Sequence, residues 1–419
     1  MHTVQQVLGL LRDAMRMLPE QTMPLGQSCG RVLARPVRMD IDAPPFDRAM
    51  RDGYALRAAD AAAGARLKIV GRQDAGAECG ITVVQGTCVA INTGAGIPAG
   101  ADAVVMVEDT RLASEVVGAG GSQGVATASR ALAADAGLVE LLKGATPGMN
   151  IQRRGSDAAA GQEVLPAGTR LNPAGLAVAS SAGAGQVWVR RPARVAVLTT
   201  GDEVVGVEDV PGATQIRNTN SAMLCALAEG AGAEVKDLGV ARDEREVIRA
   251  AVRRGMEIAD VLIVTGGMSM GTKDLVPGVL MEEGVVLAVE SVKIKPGKTF
   301  LFGQAGERMV VGLPGNPVSG FVCFVRFVGP LLRGMMGGDF DVEMERAVCD
   351  GALGANEGRE FYQPGILRVE GGELRVTPLE WRGSADIYTL AKANGLIVHG
   401  AGGGERGAGS VVEVLRAGC

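Results

Sequence analysis

Histidine is nearly absent from this sequence, and its scarcity excludes several kinds of site. Only two histidines, His2 and His399, occur among the 419 residues. A metal site built from three histidines is therefore impossible, and the sequence contains no H-E-x-x-H motif. A Ser-His-Asp triad would have to use His399, but this residue follows the apolar run 396–398 and is better interpreted as a histidine at a strand end. The chemistry of the chain must rest on other side chains.

Excess positive charge, paired cysteines and long apolar runs are also lacking. The 42 Lys and Arg against 47 Asp and Glu give a formal net charge of −5, which disfavours a nucleic-acid groove or an anionic membrane surface. The seven cysteines are odd in number and form no C-x-x-C, a pattern typical of reduced thiols. We find neither a secretion signal nor an apolar run of about 18 residues. We therefore expect a cytoplasmic protein with no nucleic-acid or membrane partner.

Glycine, in contrast, is abundant, and the first half of the chain shows several separate patterns. There are 62 glycines without a G-X-Y period, which indicates many turns and loops, and the length predicts two to four domains. Apolar spacing in residues 4–18 predicts an amphipathic helix. Short β-type runs between residues 54 and 110, including 81–84, predict a small β domain, and the Ala/Gly/Ser-rich stretch 112–136 indicates an insertion. Asn172 before Pro173 predicts the start of a second helix.

From residue 194 onward, apolar strand patterns alternate with helical ones. Strands are predicted at 194–200, 234–240, 260–266 and 309–313, with helices at 220–230, 244–257, 275–283 and 317–333. Such alternation requires a parallel sheet with right-handed crossovers and helices on both faces. After residue 338 the pattern returns to strands, with a hairpin turn at 370–373, which predicts a small C-terminal β domain.

Unusual residues follow three of these predicted strands, in the segments TGDE (200–203), TGGMSMG (265–271) and LPGNPVS (313–319). Ligands of open parallel sheets bind beyond the carboxyl ends of the strands. Glycine loops that lead into helices offer backbone N–H groups to a phosphate or another oxyanion. Glu203 and Asp274 would hold magnesium against that anion. The alternative is that each glycine only makes a turn and each acid only caps a helix, but three such loops at corresponding ends favour a site.

Familiar nucleotide-binding motifs do not fit. Segment 266–273 carries its lysine at the wrong position for a Walker A loop, which disfavours ATP hydrolysis. Two dinucleotide-like glycine patterns, at 94–99 and 402–407, lead into strands and not into helices, which disfavours a nicotinamide site. Lys293, Lys295 and Lys298 surround a Pro-Gly turn and could present cations to an oxyanion, with a solvated hairpin as the alternative.

Taken together, the motifs resemble the molybdopterin molybdenumtransferase family, which comprises the MoeA proteins and the matching C-terminal domain of gephyrin. The similar segments occur in family order over nearly the whole chain: PPFDRAMRDGYAL (44–56), NTGAGIPAGADAVVMVED (92–109), RRGSDAAAGQEVLPAGTRL (153–171), TTGDEV (199–204), QIRNTN (215–220), VTGGMSMGTKD (264–274), KPGKTF (295–300) and GLPGNPVS (312–319). The chain departs from the family pattern at Gln152, where an arginine is expected, and at Ser291, where some members have a lysine.

The resemblance implies a multidomain α/β plus β architecture. Its expected parts are a helical linker domain (1–50 and 151–192), an inserted β-rich domain (51–150), an α/β molybdopterin-binding domain around a central parallel sheet (193–337) and a C-terminal small β-barrel (338–419). It also implies a homodimer whose cleft lies between the α/β domain of one subunit and the β domains of the other. Molybdopterin adenylyltransferase is the expected supplier of substrate.

The implied reaction inserts molybdenum from molybdate into adenylylated molybdopterin with Mg²⁺-dependent release of AMP. The family's catalytic residues correspond to Asp52, Thr93, Asp157, Glu203, Asp243 and Asp274, of which Glu203 and Asp274 would bind the metal. The strand-end loops and the lysine turn supply the expected substrate-binding residues: Thr200, Gly201, Gly266, Gly267, Ser269, Gly271, Lys295, Lys298, Pro314, Gly315, Asn316 and Ser319.

Two other functions are compatible with parts of the resemblance. A molybdopterin adenylyltransferase shares the α/β domain, but it does not need the roughly 190 residues that precede this domain here. A non-catalytic scaffold homologue would keep the fold but lose the acidic residues of the cleft, whereas Asp52, Glu203 and Asp274 are all present.

Overall fold

The computed structural model describes residues 1–78, 80–112, 137–268, 275–356 and 358–416. The helices in this part of the chain are α1 (Val4–Ala14), α2 (Pro173–Ser181), α3 (Asn220–Gly230), α4 (Arg245–Ile258), α5 (Val276–Glu282), α6 (Pro317–Cys323), α7 (Gly329–Met335) and α8 (Ile387–Leu390). The strands are β1 (Glu20–Pro24), β2 (Val37–Arg38), β3 (Arg48–Ala49), β4 (Gly53–Leu56), β5 (Arg66–Gln73), β6 (Thr87–Ile91), β7 (Ala103–Met106), β8 (Thr110–Leu112), β9 (Leu138–Leu141), β10 (Ile151–Gln152), β11 (Glu163–Leu165), β12 (Gln186–Arg190), β13 (Arg194–Thr200), β14 (Val204–Val205), β15 (Ile216–Arg217), β16 (Glu234–Ala241), β17 (Val261–Thr265), β18 (Val286–Val289), β19 (Ile294–Lys295), β20 (Leu301–Ala305), β21 (Arg308–Leu313), β22 (Glu345–Cys349), β23 (Glu360–Glu370), β24 (Glu373–Pro378), β25 (Gly395–His399) and β26 (Val411–Arg416).

The chain divides into two compact units. Unit 1 contains residues 1–35, 167–172 and 186–419, and unit 2 contains residues 36–166 and 173–185. The finer four-domain division expected from the sequence stays a prediction. Three of the residues expected in the site, Ser269, Gly271 and Asp274, lie outside the described residues, as does nearly all of the predicted insertion 112–136.

A six-stranded sheet in unit 1 has the order β16-β13-β17-β21-β20-β18. Its first four strands are parallel, as the sequence predicts, and two antiparallel strands, β20 and β18, extend one edge. Every residue of β17 and all but the first of β13 are buried, which explains their continuous apolar sequences in place of alternation. The carboxyl ends of β13, β17 and β21 therefore emerge side by side from a rigid core.

One helical run in unit 1 is unusually apolar. Residues 317–335 are helical throughout, through α6, a π-helical stretch at Phe324–Val328 and α7. By length and composition alone this run could cross a membrane, but 89% of it is buried inside the protein, as in the core helix of a folded domain. Its apolar side chains pack with those of the sheet and of α1 in one hydrophobic core.

The C-terminal part of unit 1 is a closed five-stranded barrel. The strands β23, β24, β22, β26 and β25 pair in this order, and β25 pairs again with β23 to close the ring. The predicted turn at 370–373 is present, because Glu370 pairs with Glu373 and both intervening glycines have positive φ. His399 lies buried in β25, which confirms its interpretation as a strand-end histidine.

Unit 2 contains a six-stranded sheet of order β7-β4-β6-β5-β9-β8. Gly53 lies in β4, between β7 and β6, where a Cβ would come within 1.9 Å of the Val105 carbonyl oxygen, so only glycine fits. The expected strand at 81–84 is wrong, because only Thr82 forms an isolated bridge, to Ala99. The helix predicted after Asn172 is α2, and it ends before Gly183, which has positive φ.

Candidate active site

A cavity of about 900 Å³ opens at the carboxyl ends of β13, β17 and β21. Many of the expected site residues line it, together with neighbours that the sequence analysis did not select. The expected lining residues are Thr200, Glu203, Gly266, Gly267, Pro314, Gly315 and Asn316. The others include Asn218, Asn220, Thr265, Thr299 and Tyr388. The volume falls within the usual range for small-molecule sites. A cavity of suitable size therefore lies where the sequence predicts a ligand, at the carboxyl ends of the parallel strands.

Two buried polar atoms of this cavity have no hydrogen-bond partner among the described residues. They are the Thr200 hydroxyl oxygen and the Asn220 side-chain oxygen, and the two residues are 2% and 7% exposed. Buried polar atoms are nearly always paired, because leaving one unpaired costs about 1–3 kcal/mol. Both residues line the cavity, so these two atoms are candidates for contact with a polar ligand.

Asn220 is held in place by its own amide group. Its Nδ2 donates to Thr265 Oγ1 at 3.1 Å and to the Gly315 carbonyl oxygen at 2.8 Å. Thr265 Oγ1 in turn donates to the Pro314 carbonyl oxygen at 3.1 Å. These bonds join the first residue of α3 to the ends of β17 and β21, so they leave the Asn220 carbonyl oxygen as the free end of the amide.

The glycines after β17 allow the neighbouring strand end to approach. Gly266 and Gly267 both have positive φ, at 92° and 59°. A Cβ on Gly266 would lie 2.2 Å from the Thr200 carbonyl oxygen, and one on Gly267 would lie 2.8 Å from Thr200 Oγ1. These glycines thus keep Thr200 at the cavity wall, a packing role that comes in addition to any contact with a ligand.

Acidic side chains gather where β13 and β16 end. Glu203 lies at the cavity, with its carboxylate over Gly201, where a Cβ would come within 2.8 Å of Oε2. Asp243 does not line the cavity but lies beside Asp202, whose carboxylate accepts the Asp243 amide N–H at 3.1 Å. Among the described residues no group of three or more His, Cys, Asp or Glu side chains could hold a metal ion. Glu203 is therefore the one acid among the described lining residues that could contribute to a metal site at this cavity.

The loop after β21 differs in one detail from the sequence expectation. Asn316 is the N-cap residue and Pro317 is the first residue of α6, as predicted, but the Asn316 side chain makes no capping bond. Its Nδ2 instead donates to Ser384 Oγ at 3.0 Å, and the Val318 amide donates to the Ser384 carbonyl oxygen at 3.0 Å. Ser319 is buried and does not line the cavity.

The lysine turn lies against the barrel. Lys295, in β19, pairs with Phe361 of β23 and holds its Nζ 5.0 Å from the Phe361 ring centroid. Lys295 and Lys298 are exposed, and neither lines the cavity, although their neighbour Thr299 does. Gly297 packs so closely on α6 that a Cβ would lie 2.5 Å from Cys323 Sγ. The turn is therefore fixed in position, and its cations are free to meet an anion in solution.

Three expected catalytic residues lie in unit 2, where two of them are in contact. Asp52 accepts hydrogen bonds from the amide N–H of Thr93 at 2.7 Å and from its hydroxyl at 3.1 Å. The Asp52 carboxylate thus has a fixed orientation while remaining exposed. Two sequence segments about 40 residues apart, RDGY and NTGAG, therefore form one local structure.

Asp157, the third, is oriented through Gln152. Gln152 Nε2 donates to both Asp157 oxygens, at 2.8 and 2.9 Å, while its Oε1 accepts from Arg48 Nε at 2.8 Å. The glutamine that replaces the arginine expected in the family thus still contacts Asp157, and Arg48 supplies a positive charge one residue further away. The Gln152 amide thus orients the Asp157 carboxylate without placing a positive charge directly beside it.

The basic pair Arg153 and Arg154 is neutralised within unit 2. Arg153 Nη1 donates to Asp47 and Arg154 Nε donates to Asp42, both at 2.6 Å. Hydrogen bonds from the Arg154 amide and from the Arg153 side chain lower the pKa of Asp47, and those from the Ala160 amide and Arg154 lower the pKa of Asp42. This pair therefore stabilises the loops and is not free to bind an oxyanion.

Family and structure comparisons match these observations over the whole chain. Residues 2–183 match the MoeA N-terminal region (domain I and II), residues 196–334 a probable molybdopterin binding domain, and residues 346–416 the MoeA C-terminal region (domain IV). The chain is 32% identical to a molybdopterin molybdenumtransferase of Bacillus subtilis, over 93% of this chain and 88% of that protein. It is 33% identical to one of Haemophilus influenzae, over 94% of each chain.

A solved structure of the molybdopterin biosynthesis MoeA protein from Pyrococcus horikosii is 28% identical, with a TM-score of 0.80, and the match covers 100% of this chain and 99% of that one. An α/β domain of the probable molybdopterin-binding kind, flanked by MoeA-type regions, defines the class. The chain belongs to the molybdopterin molybdenumtransferase (MoeA) family of enzymes. The family and the fold class predicted from the sequence are thereby confirmed.

Proposed function

We propose that this chain inserts molybdenum from molybdate into adenylylated molybdopterin, with release of AMP in a Mg²⁺-dependent step. The observation that supports this most is the cavity at the carboxyl ends of β13, β17 and β21, which is lined by Thr200 and Asn220 with their unpaired oxygens. The Asn220 oxygen can accept a hydrogen bond from a ligand N–H, and the Thr200 hydroxyl can donate or accept one. A pterin and a nucleotide both supply such groups.

The residues of the cavity would bind and orient the substrate. Peptide N–H groups of the glycine loops at 266–267 and 315 would meet the phosphate oxygens, because these loops carry no side chains that block the backbone. The Glu203 carboxylate would lie beside the charged part of the ligand. In unit 2, Asp52 and Asp157 are ordered acceptors that we assign to catalysis on the basis of the family resemblance.

Magnesium fits this donor set. Mg²⁺ is usually bound through one or two carboxylates together with substrate phosphates and water, and Glu203 supplies one such carboxylate at the cavity. Asp274 is the second metal ligand that we propose. When bound, the ion would neutralise phosphate charge as AMP leaves.

Replacing Glu203 tests the metal assignment. Glu203→Gln keeps the size of the side chain and removes its charge, so we expect AMP release at saturating Mg²⁺ to fall at least about tenfold, with a higher Mg²⁺ requirement. Glu208→Gln is the matched control, because Glu208 is an exposed glutamate of the same segment that lies outside the cavity lining. An unchanged Mg²⁺ titration for Glu203→Gln would remove this residue from the site.

Molybdate capture is assigned to the lysine turn. Lys295 lies at a fixed position over Phe361 with its ammonium group exposed, so an oxyanion can approach it at little entropic cost. We expect Lys295→Ala to raise the molybdate concentration for half-maximal cofactor formation at least about tenfold, roughly 1.4 kcal/mol. Lys293→Ala, at another exposed lysine of the same segment, should change it less than twofold. If Lys295→Ala weakens pterin binding instead, the lysine belongs to the pterin site.

We further propose that the enzyme works as a homodimer and receives its substrate from a molybdopterin adenylyltransferase. The support for both proposals is the family resemblance. Sedimentation equilibrium at micromolar concentration should give twice the mass of 43.0 kDa. A monomer across the concentration range used for activity would contradict the dimer. Transfer of labelled adenylyl-molybdopterin from purified adenylyltransferase to this protein tests the supplier.

The two alternative functions make different predictions in the same assay. An adenylyltransferase would consume ATP and free molybdopterin and form the adenylylated pterin. A scaffold homologue would release no AMP at all. The function proposed here requires AMP release from adenylyl-molybdopterin without ATP.

A further inference from the structure

A second cavity in unit 1, of about 400 Å³, shares no lining residue with the candidate active site. Four arginines line it: Arg31, Arg170, Arg190 and Arg333. They come from separate parts of the sequence, and the proposed reaction uses none of them, although Arg170 lies within the family-like segment 153–171. We refer to it as the arginine cavity.

The protein satisfies only part of the hydrogen-bonding capacity of these guanidinium groups. Arg31 Nη1 donates to the Gly232 carbonyl oxygen at 2.8 Å, Arg190 Nη1 to Leu18 O at 3.2 Å, and Arg333 Nε to Asp339 O at 3.3 Å. Each guanidinium carries five N–H donors, so most of these donors remain available. These backbone contacts fix the positions of the side chains without neutralising their charge.

Direct ion pairs also satisfy little of the cluster, in which four arginines face three acids of the lining. Within the described parts of the chain, Arg190 is the only one of the four with a carboxylate oxygen within 4.0 Å, that of Glu20 at 3.5 Å. Of the acids in the lining, Asp341 pairs with Arg12 outside the cluster, and Asp339 and Glu343 form no ion pair with the four arginines. Arg31, Arg170 and Arg333 thus have no carboxylate oxygen within 4.0 Å among the described residues, although three acids lie in the same lining.

The electrostatic consequence is visible at Arg333. Burial lowers the pKa of its guanidinium and the positive charge of Arg170 lowers it further, and the negative charge of Asp339 offsets only part of this effect. Two like charges that reduce each other's proton affinity are both stabilised by an anion placed between them. Arginine is also the side chain best suited to planar, bidentate contact with phosphate.

The rest of the lining indicates the size of the ligand. Glycines at five positions expose backbone and keep the walls open: Gly30, Gly168, Gly232, Gly337 and Gly338. Val32 and Met336 add an apolar surface on which a ring can lie. A volume of about 400 Å³ holds more than a free phosphate ion.

We propose that the arginine cavity is a binding site for a small organic phosphate of about nucleoside-monophosphate size. Its phosphate group would contact Arg170 and Arg333, and its ring would lie against Val32 and Met336. The site is separate from the candidate active site, so it would serve for regulation or storage and not for the reaction itself.

The test is calorimetric titration of the full-length protein with AMP. Arg170→Gln is the test variant, because Arg170 is exposed and the structure shows no protein partner for its guanidinium among the described residues. We expect AMP binding at this site to weaken at least about tenfold, and Arg170→Glu to abolish it. Arg254→Gln is the matched control, since Arg254 is an exposed arginine of α4 without an ion pair in the described structure, and it should leave the isotherm unchanged.

AMP can also bind in the active-site cavity of either variant. The test is therefore the difference between the AMP isotherms of Arg170→Gln and Arg254→Gln. Equal isotherms for Arg170→Gln and Arg254→Gln would overturn the proposal. Titration with inorganic phosphate distinguishes the ligand sources: we expect phosphate to bind at least about tenfold more weakly than AMP, and equal affinity would contradict an organic phosphate. These titrations use no pterin or molybdate, so their outcome is independent of the proposed activity.

Discussion

Replacing Thr200 with valine should stabilise the protein and weaken ligand binding at the same time. The Thr200 hydroxyl is buried at 2% exposure and has no partner among the described residues. An unpaired buried hydroxyl costs about 1–3 kcal/mol, and a methyl group of similar size does not incur this cost. We therefore expect the free energy of unfolding of ligand-free Thr200→Val to rise by about 1 kcal/mol.

The same substitution would remove the hydrogen bond that we propose between Thr200 and the pterin substrate. A neutral hydrogen bond contributes about 0.5–1.5 kcal/mol, so the Kd for adenylyl-molybdopterin should rise about two- to tenfold. An effect on stability alone would indicate a buried hydroxyl with no functional contact. The opposite signs of the two effects are what identify a binding group.

Thr199, the preceding residue of β13, provides the control. It is equally buried, but its Oγ1 lies 3.0 Å from Ser221 Oγ within a network that includes Asn218. Thr199→Val should therefore destabilise the protein by about 1 kcal/mol, because Ser221 loses one of its two hydrogen-bond partners and keeps the bond from Asn218. The two variants differ by one position in the sequence and should differ in the sign of their effect.

Urea unfolding followed by tryptophan fluorescence measures both variants. The chain has two tryptophans, Trp188 and Trp381, and both belong to unit 1, which also contains Thr200. The signal thus reports the unit that carries the substitution. Equal destabilisation by Thr200→Val and Thr199→Val would show that the Thr200 hydroxyl has a partner within the protein, and the reasoning would be refuted.

Two further predictions concern the sheet of unit 1. Gly266→Ala should destabilise unit 1 by at least about 1 kcal/mol, because its φ is 92° and the new Cβ would lie 2.2 Å from the Thr200 carbonyl oxygen; an unchanged urea midpoint would contradict this. Burial of Asp260 opposes its ionisation, but hydrogen bonds from Arg191 and from the Arg194 amide outweigh this effect and hold its pKa below the usual value. The resulting stability is present above pH about 4 and is lost as the pH falls through the lowered pKa, so the urea midpoint of wild type should drop more between pH 5 and pH about 2 than that of Asp260→Asn.

Strands and helices of the α/β part could be predicted to within a residue or two at most ends. Strands such as β13 and β17 are short apolar runs buried on both faces, and the turn residues that bound them have clear local preferences. The sequence does not assign β18 and β20 to this sheet, because their antiparallel pairing depends on tertiary contacts. The run at 81–84 shows the reverse error, since β-type residues there find no partner strand.

Site residues could be predicted from the sequence where they belong to one short loop at the end of a strand. Thr200, Glu203 and Gly266 are predictable because each lies at or just after the end of a predicted strand, and all three line one cavity. The role of Asn220 was missed, although it lies in the family-like segment 215–220, because its hydrogen bonds reach residues 45 and 95 positions away in the chain. The arginine cavity has no local signal in the sequence, since only the fold brings its four arginines together.

The most direct measurement of the central claim is AMP release from adenylyl-molybdopterin by the purified protein, with Mg²⁺ and without ATP. AMP and molybdenum-loaded cofactor should form together in a one-to-one ratio when molybdate is added, and both should fall at least about tenfold in Glu203→Gln but not in Glu208→Gln. If AMP release does not depend on molybdate, or if no molybdenum enters the pterin while AMP is released, the protein does not catalyse the insertion proposed here.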